Sequence, residues 1–343
     1  MSDILDLPAE CLFEIFSRLD KYSFIHWMCT CKLFYHISQS PKSYEIIDSK
    51  INHLMILVKK LPNKNWDCYN LSGNPNITIS DILANPQIEW YYDSLPRNRN
   101  ITIDDILSNP QIKWGYHRLS LNPSITMRDV LANPQIGWNY DLLSRNPGIT
   151  IDDVLANPQI KWDHYGLSRN PNIGIKDVLA NPQINWNGWE LTHNPNITMK
   201  DVLANPQIGW NYYLLSYNQN ITLNDVLDNP QIEWDHAAVS RIPGITLNDV
   251  LANPQIKWDY RALSSNPGIT LNDVLTNLQM NWSQYKLSCN PNITLKDVLA
   301  NPQINWDYST ISEYMKLTSR DILQNPNIPW DFRQLSRNRF NKH

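Results

Sequence analysis

The sequence predicts an all-α chain, a small N-terminal helical module followed by an α-solenoid of short helix pairs. Three observations lead there. Trp recurs at 66, 90, 114, 138, 162, 186, 210, 234, 258, 282, 306 and 330, a period of 24 without insertion or deletion. Side chains that cap helix N-termini stand at two fixed places in each period. The apolar residues between them recur at helical spacing and do not alternate as in a strand. A period of this size is the signature of stacked repeats, and it resolves why 343 residues, roughly twice the usual single-domain length, need not mean two globular domains.

Each unit justifies its own two helices. The residue after Trp is Asp, Asn, Ser or Gly in eleven of twelve units, Tyr91 being the exception, so a first helix starts there. Twelve residues after Trp stands Thr in ten of eleven complete units, Gly174 departing, and three residues later Asp in all eleven. This T-x-x-D variant of the capping box starts a second helix. Leu247, Val250 and Leu251 at i, i+3, i+4, and Tyr260 with Leu263, give each helix an apolar face. Both helices run into Asn-Pro, as at Asn253-Pro254 and Asn266-Pro267, where proline denies its predecessor the helical region and removes a donor, so each lasts about two turns. Helices this short are unstable alone. Burial and backbone bonding must be completed by neighbouring units, with the Trp series in the core. At about 8–10 Å per unit, an open stack would extend for roughly 100 Å.

Two other architectures share part of this pattern. Trp-Asp pairs such as Trp162-Asp163 occur in propeller blades, but those are about 40–45 residues long and strand-rich. The L-S-x-N segment, as in Leu143-Ser144-Arg145-Asn146, fits a leucine-rich-repeat-like solenoid, whose period of about 20–29 residues includes 24. That alternative stays open beside the helical one, although the repeated Asn-Pro and second cap argue against it.

Residues 1–47 lie outside the period. Asp6-Leu7-Pro8-Ala9-Glu10, then Leu12, Ile15, Phe16 and Leu19, reads as a capped amphipathic helix with proline in its first turn. Phe24, Trp27 and Met28 begin a second apolar stripe that continues through Cys31-Lys32-Leu33-Phe34. The small bundle has surplus apolar surface, which suits a docking module or a cap. Residues 48–65 read as a connecting helix that caps the first repeat, closed by Leu61-Pro62. Residues 66–343 are the solenoid, with Arg333, Arg337, Arg339 and Lys342 forming a polar far cap.

The residues Leu7-Pro8-Ala9-Glu10 through Ile15-Phe16 to Leu19-Asp20, with Cys31-Lys32-Leu33-Phe34, resemble an F-box across about 40 residues. The pattern is met at Leu7, Pro8, Glu10, Ile15, Phe16, Leu19 and Asp20, while Trp27 and Thr30 are bulkier or more polar than is common there. The resemblance implies docking through Leu7, Pro8, Glu10, Leu12, Ile15, Phe16 and Leu19 onto the Skp adaptor, and through it the cullin, of a cullin-RING ubiquitin ligase. The whole chain is similar to F-box repeat proteins of giant DNA viruses, which implies residence in the cytoplasm of a host cell.

Composition and motifs narrow the chemistry. A net charge of -4 and a Gly count of 10 against 23 Pro disfavour phosphate tracking and Gly-rich nucleotide loops. The longest purely apolar run, Leu54 to Val58, is far below the roughly 20 residues of a membrane span, and Asp3 and Asp6 are unlike a secretory signal. Five cysteines without paired spacing suggest buried thiols, not disulfides or zinc. His117, His164, His193 and His236 fall at different phases, so no metal or general-base constellation forms. We therefore expect no catalysis and no cofactor. The Asp row from Asp81 to Asp321 belongs to caps, the Asn row from Asn85 to Asn325 to turns, and N-x-T sequences such as Asn76-Ile77-Thr78 to the same caps.

The variable positions carry the expectation of binding. Seven residues after Trp stand Arg97, Arg145, Arg169, His193, Tyr217, Arg241 and Arg337; three after Trp stand Tyr69, His117, Tyr165, Trp189, Tyr213, Arg261 and Tyr285. Tyr, Trp and Arg are enriched in interface anchors. Arg145, Arg169, Trp189, His193 and Tyr213 are the candidate target-binding residues, for an acidic, partly aromatic protein segment. A substrate-recruiting ligase subunit is the leading function. A scaffold whose F-box-like end is only a cap, and an RNA-reading solenoid with one side chain per base, are the competitors.

Overall fold

The computed structural model describes residues 52–340. The expected adaptor-binding residues Leu7, Pro8, Glu10, Leu12, Ile15, Phe16 and Leu19 lie outside them, as does Lys342. The described residues are helical and contain no strand, so the leucine-rich-repeat-like alternative is set aside.

Every unit folds as its caps dictate. The second helices, from Ile79–Ala84 to Ser319–Gln324, are each six residues long. Their Asp carboxylates bond back to the N-cap: Thr246 N donates to Asp249 Oδ2 at 2.9 Å, and Asp249 N to Thr246 Oγ1 at 3.2 Å. At Gly174 only the first of these survives, from Gly174 N to Asp177 Oδ2 at 2.8 Å. The first helices follow the residue after Trp. Where it is Asp163, its side chain caps the six-residue helix His164–Arg169. Where it is Gly115 no side chain caps, and Tyr116–Leu119 has four residues; where it is Tyr91, only the 3₁₀ turn Leu95–Arg97 forms. The cap marks where the helix starts but not its length, since the capped helices Tyr212–Leu215, His236–Val239, Gln284–Leu287 and Phe332–Leu335 also have four residues.

Three apolar rows make the core. The residues five after Trp (Leu71 through Leu335) are 0–1% exposed, and the rows typified by Ile149 and Val154 are also buried. The Trp series rims this core: Trp90, Trp114, Trp138, Trp210, Trp306 and Trp330 are buried and the other six half-buried and packed against it. Every one donates its indole N–H to a carbonyl five residues earlier, such as Trp186 to Asn181 O at 2.9 Å, and so clasps the Asn-Pro turn. One expected core position is not core. Leu251 is 57% exposed, and its equivalents from Leu83 to Leu299 are all exposed. A two-turn helix packed through Val250 has only one buried line, and the next residue round the turn faces outward.

Polar side chains stitch unit to unit. The Asn eight after Trp is buried, and its amide donates into the preceding unit: Asn170 Nδ2 reaches Ser144 O, Asn146 O and Ile149 O at 3.0–3.1 Å. Its Oδ1 accepts from Asn172 N in its own turn at 2.8 Å. The Ser six after Trp accepts the amide 19 residues on, as Ser144 Oγ does from Asp163 N at 2.9 Å.

These stitches close the chain on itself, which corrects the expectation of an open stack with separate end caps. Asp67 N donates to Ser336 Oγ at 3.0 Å, 269 residues away, in the place where other units look back 19. Asn74 Nδ2 takes Ser336 O and Asn338 O, at separations of 262 and 264 where other units have 26 and 24. Each long separation and its short counterpart make 288, twelve periods of 24. The twelfth unit has no second helix of its own among the described residues; His53–Lys60 stands there, burying Leu54, Met55, Leu57 and Val58. It packs against Ser319–Gln324, with His53 Nδ1 accepting from Ser319 N at 3.2 Å. Its N-cap Asn52 donates to Asn76 O at 2.8 Å on the other side. Trp66 clasps Leu61 O at 2.9 Å as each Trp clasps an Asn. The segment expected to cap one end completes a twelve-unit ring, a solenoid without ends.

Candidate target-binding surface

Units of identical length, most of them bonded to the last by the same Asn and Ser stitches, bring equivalent residues of successive first helices side by side. His164–Arg169 packs on Gly188–Thr192, which packs on Tyr212–Leu215. Three residues after their respective Trp, these helices carry Tyr165, Trp189 and Tyr213, exposed by 55%, 62% and 54%. At the same phase in the flanking units stand Asp141 and Ala237, so the aromatic arc is three units wide.

Of the five expected residues, Arg169, Trp189, His193 and Tyr213 stand on or at the end of these three helices, and Arg145 ends the first helix of the preceding unit, Tyr140–Ser144. Arg145 and Arg169, seven after Trp, are not free charges. Arg145 Nη2 lies 3.6 Å from Asp163 Oδ2 and Arg169 Nε 3.3 Å from Glu190 Oε2, each partner in the next unit. Both guanidiniums remain about half exposed, so these pairs add little stability. They do cancel much of the positive field that an acidic ligand would seek. His193 ends the helix Gly188–Thr192 as its C-cap, its Nδ1 3.2 Å from Trp189 O one turn back.

Tyr213 belongs to a cluster that the sequence did not reveal. Its hydroxyl donates to Asp235 Oδ2 at 2.8 Å, and the hydroxyl of Tyr217 donates to the same oxygen. The two tyrosine rings lie 6.3 Å apart. Asp235 was legible only as the cap of His236–Val239, and it does accept from Ala237 N through Oδ1, but its second oxygen is left to bind both phenols. Those bonds hold Asp235 down at about 2, the Tyr217 bond contributing most, and the carboxylate in turn pushes Tyr217 up to about 12.

The indole N–H groups single out one residue. The twelve periodic tryptophans spend theirs on turn carbonyls, whereas Trp189 Nε1 donates to no group of the described chain.

The other sequence candidates are absorbed by structure. The Asp row caps helices, and the Asn row from Asn85 to Asn325 bonds back within its own helix, as Asn85 Nδ2 does to Asp81 O at 2.6 Å. Among the described residues, no three His, Cys, Asp or Glu gather as metal ligands, and no helix is long and apolar enough to cross a membrane. Burial pushes the Cys68 and Cys289 thiols up, away from the reactive thiolate.

Comparison with known proteins adds one finding about the residues that precede the ring. The family model for the F-box domain matches residues 4–46. No curated protein and no solved structure matches the chain.

Proposed function

From the F-box domain at residues 4–46, we propose that this chain is a substrate-recruiting subunit of an SCF-type ubiquitin ligase. The domain supports a general role as an adaptor subunit with a Skp-type partner. The finer reading is ours: Leu7, Pro8, Glu10, Leu12, Ile15, Phe16 and Leu19 contact the adaptor, the cullin joins through it, and the ring holds a protein target. The work of the chain is to place two partners near each other, and its own side chains need transform neither.

The observation that carries the reading is the succession of an F-box and, within a few residues, a closed ring whose first helices expose Tyr165, Trp189 and Tyr213 beside Arg145, Arg169 and His193. A repeat ring has many equivalent surfaces, and three consecutive units with exposed aromatic anchors, where Tyr69 and Tyr285 stand singly at the same phase, are where binding energy concentrates. Following the resemblance to viral F-box repeat proteins, we place the complex in the cytoplasm of a host cell.

Affinity capture with the full chain tests this. Adaptor and cullin should be recovered by the wild type and lost on Leu7→Ala with Pro8→Ala, while helical circular dichroism is unchanged. Recovery of both proteins by that variant would return the chain to the scaffold reading.

A further inference from the structure

We propose that the arginines gathered where the ring closes, Arg97 and Arg99 of unit two with Arg337 and Arg339 of unit twelve, bind a run of carboxylates in an extended segment of the target protein. The inference rests on the reading of the ring as a target-binding module and names the chemistry of what it takes.

Closure makes the cluster. The residue nine after Trp is Pro in eight of twelve units, Gln219 and Met315 in two, and Arg only at Arg99 and Arg339. Those same two units carry Arg seven after Trp, at Arg97 and Arg337. In sequence the pairs stand at opposite ends of the array, but on the ring they flank unit one. Asn98 Nδ2 donates to Asn74 O at 2.9 Å and Asn74 Nδ2 to Asn338 O at 3.0 Å, so two hydrogen-bonded steps join the turns that bear them. Asn98 and Asn338 are buried, and the arginine on either side of each is exposed. Between the pairs unit one has Gly73, where an added Cβ meets nothing within 4 Å, so the space is open.

Charge names the ligand. Arg337 and Arg339 were expected to cap a polar end, and a ring has no end to cap. Ion pairs do not absorb the cluster either. Among the described residues no carboxylate pairs with Arg97, Arg99 or Arg339, and Arg337 Nη1 has only Glu313 Oε1, at 3.8 Å, while remaining about half exposed. The nearby acids are spent elsewhere. Asp93 Oδ2 is held by Arg118 Nε at 3.0 Å, and Asp67 and Asp331 accept cap amides from Asn70 and Arg333 at 3.0 Å. Like charges gathered in this way concentrate a positive potential that draws an anion, and each guanidinium offers paired N–H donors that match a carboxylate. Arg145 and Arg169, which already face Asp163 and Glu190, do not offer this. The acidic segment expected from the sequence thus keeps its chemistry and changes its place.

Two further observations select a short protein segment. A nucleic acid carries a charge on every nucleotide and is held along a basic track, whereas this patch is confined to units twelve, one and two, with Glu313 in the unit before it. The patch also lies where the linker from the F-box enters the ring: Asn52 Nδ2 donates to Asn76 O at 2.8 Å, and Asn76 Nδ2 to Arg339 O at 3.0 Å.

The test is fluorescence anisotropy of the full-length chain with three labelled probes: a peptide of eight Glu, a peptide of eight Gln and an oligouridylate of eight nucleotides. We expect the Glu peptide to bind at least tenfold more tightly than either of the others. Arg99→Ala with Arg339→Ala should weaken it at least tenfold with unchanged circular dichroism, as should Arg97→Ala with Arg337→Ala. Arg241→Ala, at an exposed arginine without an ion pair elsewhere on the ring, should change it less than twofold. Equal binding of the Glu and Gln peptides, tighter binding of the oligouridylate, indifference to both double variants, or an equal loss on Arg241→Ala would each overturn the proposal. Because no adaptor is present in the titration, these outcomes are separate from loss of adaptor capture on Leu7→Ala with Pro8→Ala.

Discussion

The amide of Asp67 and the hydroxyl of Ser336 meet at 3.0 Å as if they were 19 residues apart in one unbroken series. Ring closure makes the first and last units ordinary neighbours, so no apolar end needs a polar cap. It also makes the linker from the F-box part of the ring, since the chain passes from residue 51 directly into Asn52 and the helix His53–Lys60, which fills the twelfth unit.

The inter-unit Asn ladder should carry much of the stability. Asn170→Ala leaves the buried carbonyls of Ser144, Asn146 and Ile149 without their side-chain donor, and unsatisfied buried groups cost about 1–3 kcal/mol each. We expect a loss of about 3 kcal/mol in denaturant unfolding. A loss below about 0.5 kcal/mol, the scale of ordinary surface changes, would mean that water replaces the ladder.

Two rungs are missing, at Ile242 and Tyr314, and adding the first should stabilise. At Ile242 no Oδ1 is there to accept the amide two residues on, and that residue, Gly244, takes a left-handed φ of +87°. Gly148 and Gly268, whose amides bond to Asn146 and Asn266 Oδ1, do not. Ile242→Asn should gain about 1 kcal/mol, a typical net hydrogen-bond contribution, read as a raised denaturation midpoint. A lowered midpoint would show that the burial of Ile242 outweighs the rung.

The two adjacent residues Val250 and Leu251 should behave oppositely. Val250 is 3% exposed and Leu251 57%. Val250→Ala should cost roughly 1–3 kcal/mol by transfer and cavity terms, and Leu251→Ala less than about 0.5 kcal/mol. Similar losses on unfolding would contradict the assigned helix face.

The Tyr213–Tyr217–Asp235 cluster has a signed pH dependence. Asp235 is held at about 2 against an ordinary 3.8, so its contribution is present above 3.8 and is lost as pH falls from there toward 2. Tyr217 is raised to about 12 from 10.0, so its contribution is complete below 10 and lost as pH climbs toward 12. Carbon-13 titration of the Asp235 carboxyl should give a midpoint near 2 that moves up on Tyr217→Phe. A midpoint unmoved by that change would show that the phenol does not hold the carboxylate.

What was legible in the sequence was local. The caps at Asp163 and Thr246 and the stops at Asn-Pro are written within a few residues, and each marks the start or the end of its helix. Closure was not legible, because a period of 24 states that neighbours are equivalent but not how far each turns relative to the last. The helix His53–Lys60 shares neither the Thr cap nor the Asp of the units it joins, so nothing marked it as a twelfth second helix. Leu251 was misplaced because i, i+3, i+4 spacing defines a face but not how much of it a two-turn helix buries. At the candidate surface, the phase of Tyr165, Trp189 and Tyr213 was readable, whereas the pairing of Arg145, Arg169 and Asp235 depends on contacts between units.

The closed ring is tested most directly by a distance between its chemical ends. In a chain whose five native cysteines are replaced by Ser, spin labels are placed on Gly73→Cys with Arg337→Cys, and separately on Arg145→Cys with Arg169→Cys. All four positions are seven residues after a Trp, a Cβ added at Gly73 meets nothing within 4 Å, and Arg337, Arg145 and Arg169 are about half exposed. The ring predicts the same short distance distribution for both pairs, because unit twelve adjoins unit one as unit four adjoins unit five. An open stack of twelve units at about 8–10 Å each would put Gly73 and Arg337 roughly 100 Å apart, and that result would contradict the account.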